Sequence, residues 1–142
     1  MKILVATDGS EHALNAVKFA AALVPQLHSG SSHITLISVH DDTGLRHARA
    51  FVGSESVADY LRELSDKELK PARMLLDEAG IKHDMEICTG AVAQTIVEEA
   101  NKGNFDLIVL GSKGRGAVAD LLIGSVAQRV LATAVKPVLL VK

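Results

Sequence analysis

Short unbroken apolar runs alternate along the chain with stretches in which apolar residues return every three or four positions. Ile3-Leu4-Val5-Ala6 leads into Thr7-Asp8-Gly9-Ser10, which predicts a strand closed by turn and helix-cap chemistry. From Glu11 to about Leu27 the positions Ala13, Leu14, Val17, Ala20, Ala21 and Val24 have helical spacing, with Pro25 fraying the last turn. His33 to Val39 is a second strand. His40 to Ser56 has no steady period and reads as a mobile loop. Helical spacing resumes at about Val57, with Val57, Tyr60, Leu61 and Leu64 on one face. Pro71 predicts a kink before Met74-Leu75-Leu76 carry the helix to Gly80. Ile81 to Cys88 alternates apolar and polar residues as a strand would, and its weak apolar content suggests a sheet edge. Thr89-Gly90 turns into a helix from Ala91 to about Asn101. Asp106 to Leu110 is a buried strand, Val126 to Ala134 a helix opened by Gly124-Ser125, and Pro137 to Val141 a fifth strand.

This βαβαβαβαβ order calls for a parallel sheet with helices on both faces and right-handed crossovers. Open sheets of this kind bind ligands outside the carboxyl ends of their strands, where the strand order reverses. The sharpest chemistry lies in two turns, Asp8-Gly9-Ser10 after the first strand and Gly111 to Gly116 after the fourth. If those strands are neighbours, as in the order 3-2-1-4-5, both turns flank one crevice.

Composition narrows the class. A chain of 142 residues is expected to form one domain, residues 1–142, around one substantial core. Nearly half of it is apolar, while the aromatics are only three Phe and Tyr60, which suits aliphatic strands covered on both faces. The net charge of −2 argues against broad electrostatic binding to nucleic acid or to anionic membrane. The single cysteine, Cys88, cannot form an internal disulfide. No signal-peptide pattern or spanning apolar run is present, so a cytoplasmic protein is expected.

The candidate chemistry is an anion site. Three glycines fall within Gly111-Ser112-Lys113-Gly114-Arg115-Gly116, interleaved with a hydroxyl and two cations. A backbone bare of Cβ atoms can present N–H groups as a concave donor surface. Gly124-Ser125 then opens a helix whose first N–H groups carry partial positive charge. Together these features describe a phosphate site. Lys113 and Arg115 either neutralise outer phosphates or are merely solvated. Rival signals fail on context. Gly114-x-Gly116-x-x-Ala119 has the dinucleotide fingerprint but follows the fourth strand, not the first. A Walker A loop lacks its Gly-Lys-Ser/Thr, and a receiver would need an Asp where the chain has Cys88-Thr89-Gly90. His40, Asp41, Asp42 and His47 read as a solvated cluster and not as metal ligands, and Cys88 as a small hydrophobe.

The spacing Gly111-x2-Gly114-x9-Gly124-Ser125, with the strand into Asp8-Gly9-Ser10, Ser38-Val39-His40 and Lys136-Pro137-Val138, resembles the ATP-binding branch of the universal stress proteins over the whole chain. The resemblance implies a Rossmann-like, adenine nucleotide alpha hydrolase-like α/β fold of strand order 3-2-1-4-5, ATP binding, and a homodimer. By position it implies that Gly111, Ser112, Lys113, Gly114, Arg115, Gly124 and Ser125 surround ribose and phosphates, with a main-chain N–H from Val126. Ala6, Thr7 and Asp8 would lie beside the nucleoside, and Val39 would read adenine through its main chain. A Mg or Mn ion would be held mainly through the phosphates. The implied role is a nucleotide-dependent stress regulator or sensor. The rivals are a slow ATPase or phosphotransferase at the same site and an interaction module without ligand. The aliphatic strand Val138 to Val141, if terminal, offers an edge for two-fold pairing.

Overall fold

The computed structural model describes residues 1–27, 30–116 and 122–142. Ala119, the last position of the rejected dinucleotide fingerprint, lies outside the described residues. Five parallel strands, β1 (Lys2–Ala6), β2 (His33–His40), β3 (His83–Thr89), β4 (Leu107–Gly111) and β5 (Val138–Val141), form one sheet of order β3-β2-β1-β4-β5. The helices are α1 (Glu11–Leu23), α2 (Thr43–Val52), α3 (Ser54–Glu78), α4 (Val92–Lys102) and α5 (Ser125–Thr133). The expected fold and order are those found. A 3₁₀ turn, Val24–Gln26, carries Pro25 at the end of α1.

The alternation of strand side chains divides the core into two layers. Ile3, Val5, Ile34 and Leu36 face α1 and α3, meeting Ala16, Val17, Ala20, Leu69, Ala72 and Leu76. Leu4, Ile37, Ile108 and Leu110 face α4 and α5, meeting Ala93, Ile96, Ala100, Ala127 and Val130. The central strands are buried on both faces, which is why their sequences are continuous apolar runs. The edge β3 is different: Met85 and Ile87 remain about two-fifths exposed, at 44% and 41%.

One local expectation changes. The stretch taken for a mobile loop contains α2, and α3 begins at Ser54. Asp41 starts this helix by accepting the Thr43 main-chain N–H at 2.8 Å, and Gly53 at φ +86° separates α2 from α3. As expected, Met74, Leu75 and Leu76 continue the helix past Pro71, and α3 runs from Ser54 to Glu78 with the proline inside it. Burial of Leu69, Ala72 and Leu76 on either side of the proline holds the helical path against its lost donor.

Candidate functional site

A cleft of about 280 Å³ opens above the carboxyl ends of β1 and β4, on the α4–α5 side of the sheet. That volume lies near the lower end of small-molecule pockets, roughly 300 Å³. Its floor is apolar, formed by Ile37, Val39, Val92, Ile96 and Leu110, and its rim carries Asp8, Lys113, Gly114, Arg115, Gly124 and Ser125. Of the residues singled out in the sequence, Ala6, Thr7, Asp8, Val39, Gly111, Lys113, Gly114, Arg115, Gly124, Ser125 and Val126 line this one cleft. Ser112 is buried instead, its N–H bonded to Val141 O and its carbonyl accepting from Gly124 N, both at 2.7 Å.

The strand order places the two glycine-bearing turns side by side, because β1 pairs with β4 through Ala6 and Leu110. A Cβ would crowd three of these glycines to different degrees. A Cβ on Gly111 would come within 2.6–2.8 Å of the main chain of His12 and Ala13 in the first turn of α1. One on Gly114 would press to 2.8 Å on Asp8 Oδ2. One on Gly124 would stand 3.3 Å from Lys113 Cα. Among the described residues, none comes within 4 Å of a Cβ on Gly116. The glycine pattern therefore serves close packing of α1, loop and α5 as well as any ligand.

Asp8 organises the rim. Its Oδ1 accepts the Ser10 N–H at 2.9 Å and its Oδ2 the Arg115 N–H at 3.1 Å. Burial alone would raise the carboxyl pKa, but these donors, together with the Ser10 side chain, outweigh it and hold Asp8 below the usual carboxylate range. Across the cleft, α5 starts without a side-chain cap. Its first intrahelical bond is Gln128 N–H to Gly124 O, which leaves the N–H groups of Ser125, Val126 and Ala127 ahead of the helical ladder. All three residues line the cleft.

The main chain of Val39 is exposed to the cleft by register. Pairing between β1 and β2 stops at Ala6 and Ile37, where Ile37 O accepts from Thr7 N. Main-chain groups alternate sides along a strand, so those of Val39 point the same way as those of Ile37, beyond the end of β1. One donor and one acceptor thus project above the apolar floor.

Sequence reasoning missed Glu68. This α3 residue is 5% exposed and its Oε1 lies 2.7 Å from Arg115 Nη1. Its Oε2 is 3.3 Å from His40 Nε2 and 3.4 Å from Ser38 Oγ. The signal was present as a polar residue within the apolar stripe Val57, Leu61, Ser65, Glu68, Ala72, Leu76. His40 faces Glu68 and Asp41 serves Thr43, so these two side chains answer to different neighbours. Burial and then the charges of Glu99 and Glu86 push the Cys88 thiol up, keeping it protonated.

Residues 1–142 match the family model described as "Universal stress protein family". Universal stress protein MJ0531 of Methanocaldococcus jannaschii is 35% identical over 141 residues, 99% of this chain and 81% of the relative. The solved structure of MJ0577, from the same organism, superposes with a TM-score of 0.83 at 30% identity, covering 99% of this chain and 94% of that one. A universal stress protein solved in complex with cAMP superposes with a TM-score of 0.74 at 25% identity, covering 100% of this chain and 97% of that one.

Proposed function

Starting from a chain that belongs to the universal stress protein family, we propose that its cleft binds an adenine nucleotide, ATP foremost, and that the protein acts as a nucleotide-dependent regulator or sensor. The observation that carries this reading is the convergence on one cleft of the uncapped start of α5, the Lys113–Gly114 turn and the end of β1. Backbone N–H groups at a helix start suit phosphate oxygens, and each charge-assisted contact of this kind contributes about 1.5–3 kcal/mol. The apolar floor with the projecting N–H and C=O of Val39 suits a flat base that offers an acceptor beside a donor. Asp8, just beyond the end of β1, would lie beside the nucleoside. Family membership and a relative solved with cAMP support the same ligand class. A divalent ion, if recruited, would be held by phosphate oxygens and water, beside Asp8 and Ser125.

The same geometry supports binding without fast turnover. A general base works best with a pKa near the operating pH. Both Asp8 oxygens already accept main-chain N–H groups, and those contacts make the carboxylate a weak base. The edge strand β5 carries four half-buried aliphatic residues, and Leu131 and Val135 nearby in the chain are exposed. Pairing of that edge with a second copy is part of this proposal, and sedimentation of the purified protein tests it.

Calorimetric titration with ATP and magnesium tests the ligand. Saturable binding is expected in the wild type. Gly114→Val should abolish it with the circular dichroism spectrum retained and a melting temperature lowered only modestly, because the added Cβ meets the Asp8 side chain and not the core. Absence of ATP binding by folded wild-type protein would refute the reading.

A further inference from the structure

The cleft lies on the α4–α5 side of the sheet, yet the guanidinium of Arg115 is engaged on the other side. A Cβ placed on Gly9 would meet Arg115 Nη2 at 3.0 Å and Glu68 O at 3.4 Å, so the side chain passes over the β1 turn to reach α3. There it meets Glu68, a carboxylate only 5% exposed, while the Arg115 side chain is itself 54% exposed. Glu68 is in turn held by Ser38 and His40, which project from the end of β2. The main-chain N–H of the same arginine is bonded to Asp8 Oδ2. One residue of the glycine loop is therefore pinned twice, by its backbone to β1 and by its side chain to α3 and β2.

We propose that Glu68 is a positioning residue for the phosphate-binding loop, clamping Arg115 so that the loop is ordered over the carboxyl end of β1 before ligand arrives. The ligand half of this inference rests on the nucleotide reading above; the ordering of the loop does not. Arg115 then acts through its anchorage to Glu68 and not as a direct phosphate ligand. Releasing it makes the ligand bear the cost of ordering the loop, and a cost of about one residue's backbone freedom weakens binding about tenfold. That penalty falls on ligands that use the loop. A nucleoside without phosphates does not sense it.

The test compares wild type, Glu68→Gln, Arg115→Gln and the double variant in two measurements. Amide hydrogen exchange on the ligand-free proteins reads the loop itself. Faster exchange across residues 111–116 is expected in all three variants, and unchanged exchange overturns the clamp whatever the ligand data say. Calorimetry with ATP and with adenosine reads the consequence. ATP should weaken about tenfold in each single variant, with the double variant no worse than either and adenosine affinity unchanged. Tighter ATP binding by Glu68→Gln would overturn the proposal, since Glu68 would then be a competitor for Arg115. Additive losses would also overturn it, by making Arg115 an independent phosphate contact. If Glu68→Gln fails to fold, Arg115→Gln, altered at an exposed side chain, carries both readouts. Wild-type protein that binds neither ligand refutes the nucleotide reading and the ligand half here, and the exchange data still decide the clamp.

Discussion

Gly111→Ala is the smallest change that should damage the whole molecule. Gly111 ends β4 opposite Val141 of β5, and its α-carbon faces the first turn of α1. The new methyl would stand 2.6 Å from His12 C and 2.8 Å from both Ala13 N and His12 O. Carbon atoms in contact normally sit about 3.5–4.0 Å apart, so strand and helix must separate by about 1 Å. All three offending atoms are backbone, and none can turn aside. Moving α1 loosens Ala13, Ala16, Val17 and Ala20 from the core, and a gap of about 1 Å forfeits up to about half the contact energy at each facing atom. Overpacking a tight core typically costs about 1–3 kcal/mol, and this rigid site belongs at the upper end, about 3 kcal/mol. At about 2–4 °C per kcal/mol for a domain near this size, the melting temperature should fall by about 6–12 °C. Differential scanning calorimetry of Gly111→Ala beside Gly116→Ala, where the added methyl meets none of the described residues, isolates the effect. A Gly111→Ala protein that melts within about 2 °C of the wild type would refute the reasoning.

Other outcomes are as specific. Because the Asp8 carboxyl pKa is lowered on folding, its contribution to stability is present above its ordinary value of 3.8 and is lost as pH falls through the folded value. Asp8→Asn should therefore cost about 1–2 kcal/mol in urea denaturation at pH 7, with the gap to wild type narrowing below pH 3.8; a gap that stays constant into acid would count against the hydrogen-bonded carboxylate. Pro71 is exposed on a continuous helix and cannot donate to the Lys67 carbonyl. Pro71→Ala should raise stability by about 1–2 kcal/mol, the helical gain offset in part by a freer unfolded chain, and a destabilised variant would show that the ring has a packing role.

The strands were legible because residues such as Ile3, Leu4 and Val5 are buried on both faces, leaving a continuous apolar signature. The adjacency of the first and fourth strands followed from two polar turns that make chemical sense only together. The helix Thr43–Val52 was not legible, since Gly44 interrupts it early and Phe51, at 89% exposed, marks no buried stripe. Glu68 stayed hidden among the charges Asp66, Lys67 and Lys70, although its spacing from Leu61 and Ala72 put it on the buried face. Gly111 was read as part of a phosphate turn, and the contact that demands glycine there comes from a helix about a hundred positions away in sequence. Such pairings are set by topology, and no local window contains both partners.

The main chain of Ser112 fastens three parts of the molecule, with its N–H on Val141 and its carbonyl taken by Gly124. The same bond holds Gly124 against Lys113, whose Cα would lie 3.3 Å from a Cβ on Gly124. One residue thus ties the last strand to the start of the last helix, so a disturbance of its backbone would be felt at the sheet edge and at the cleft together.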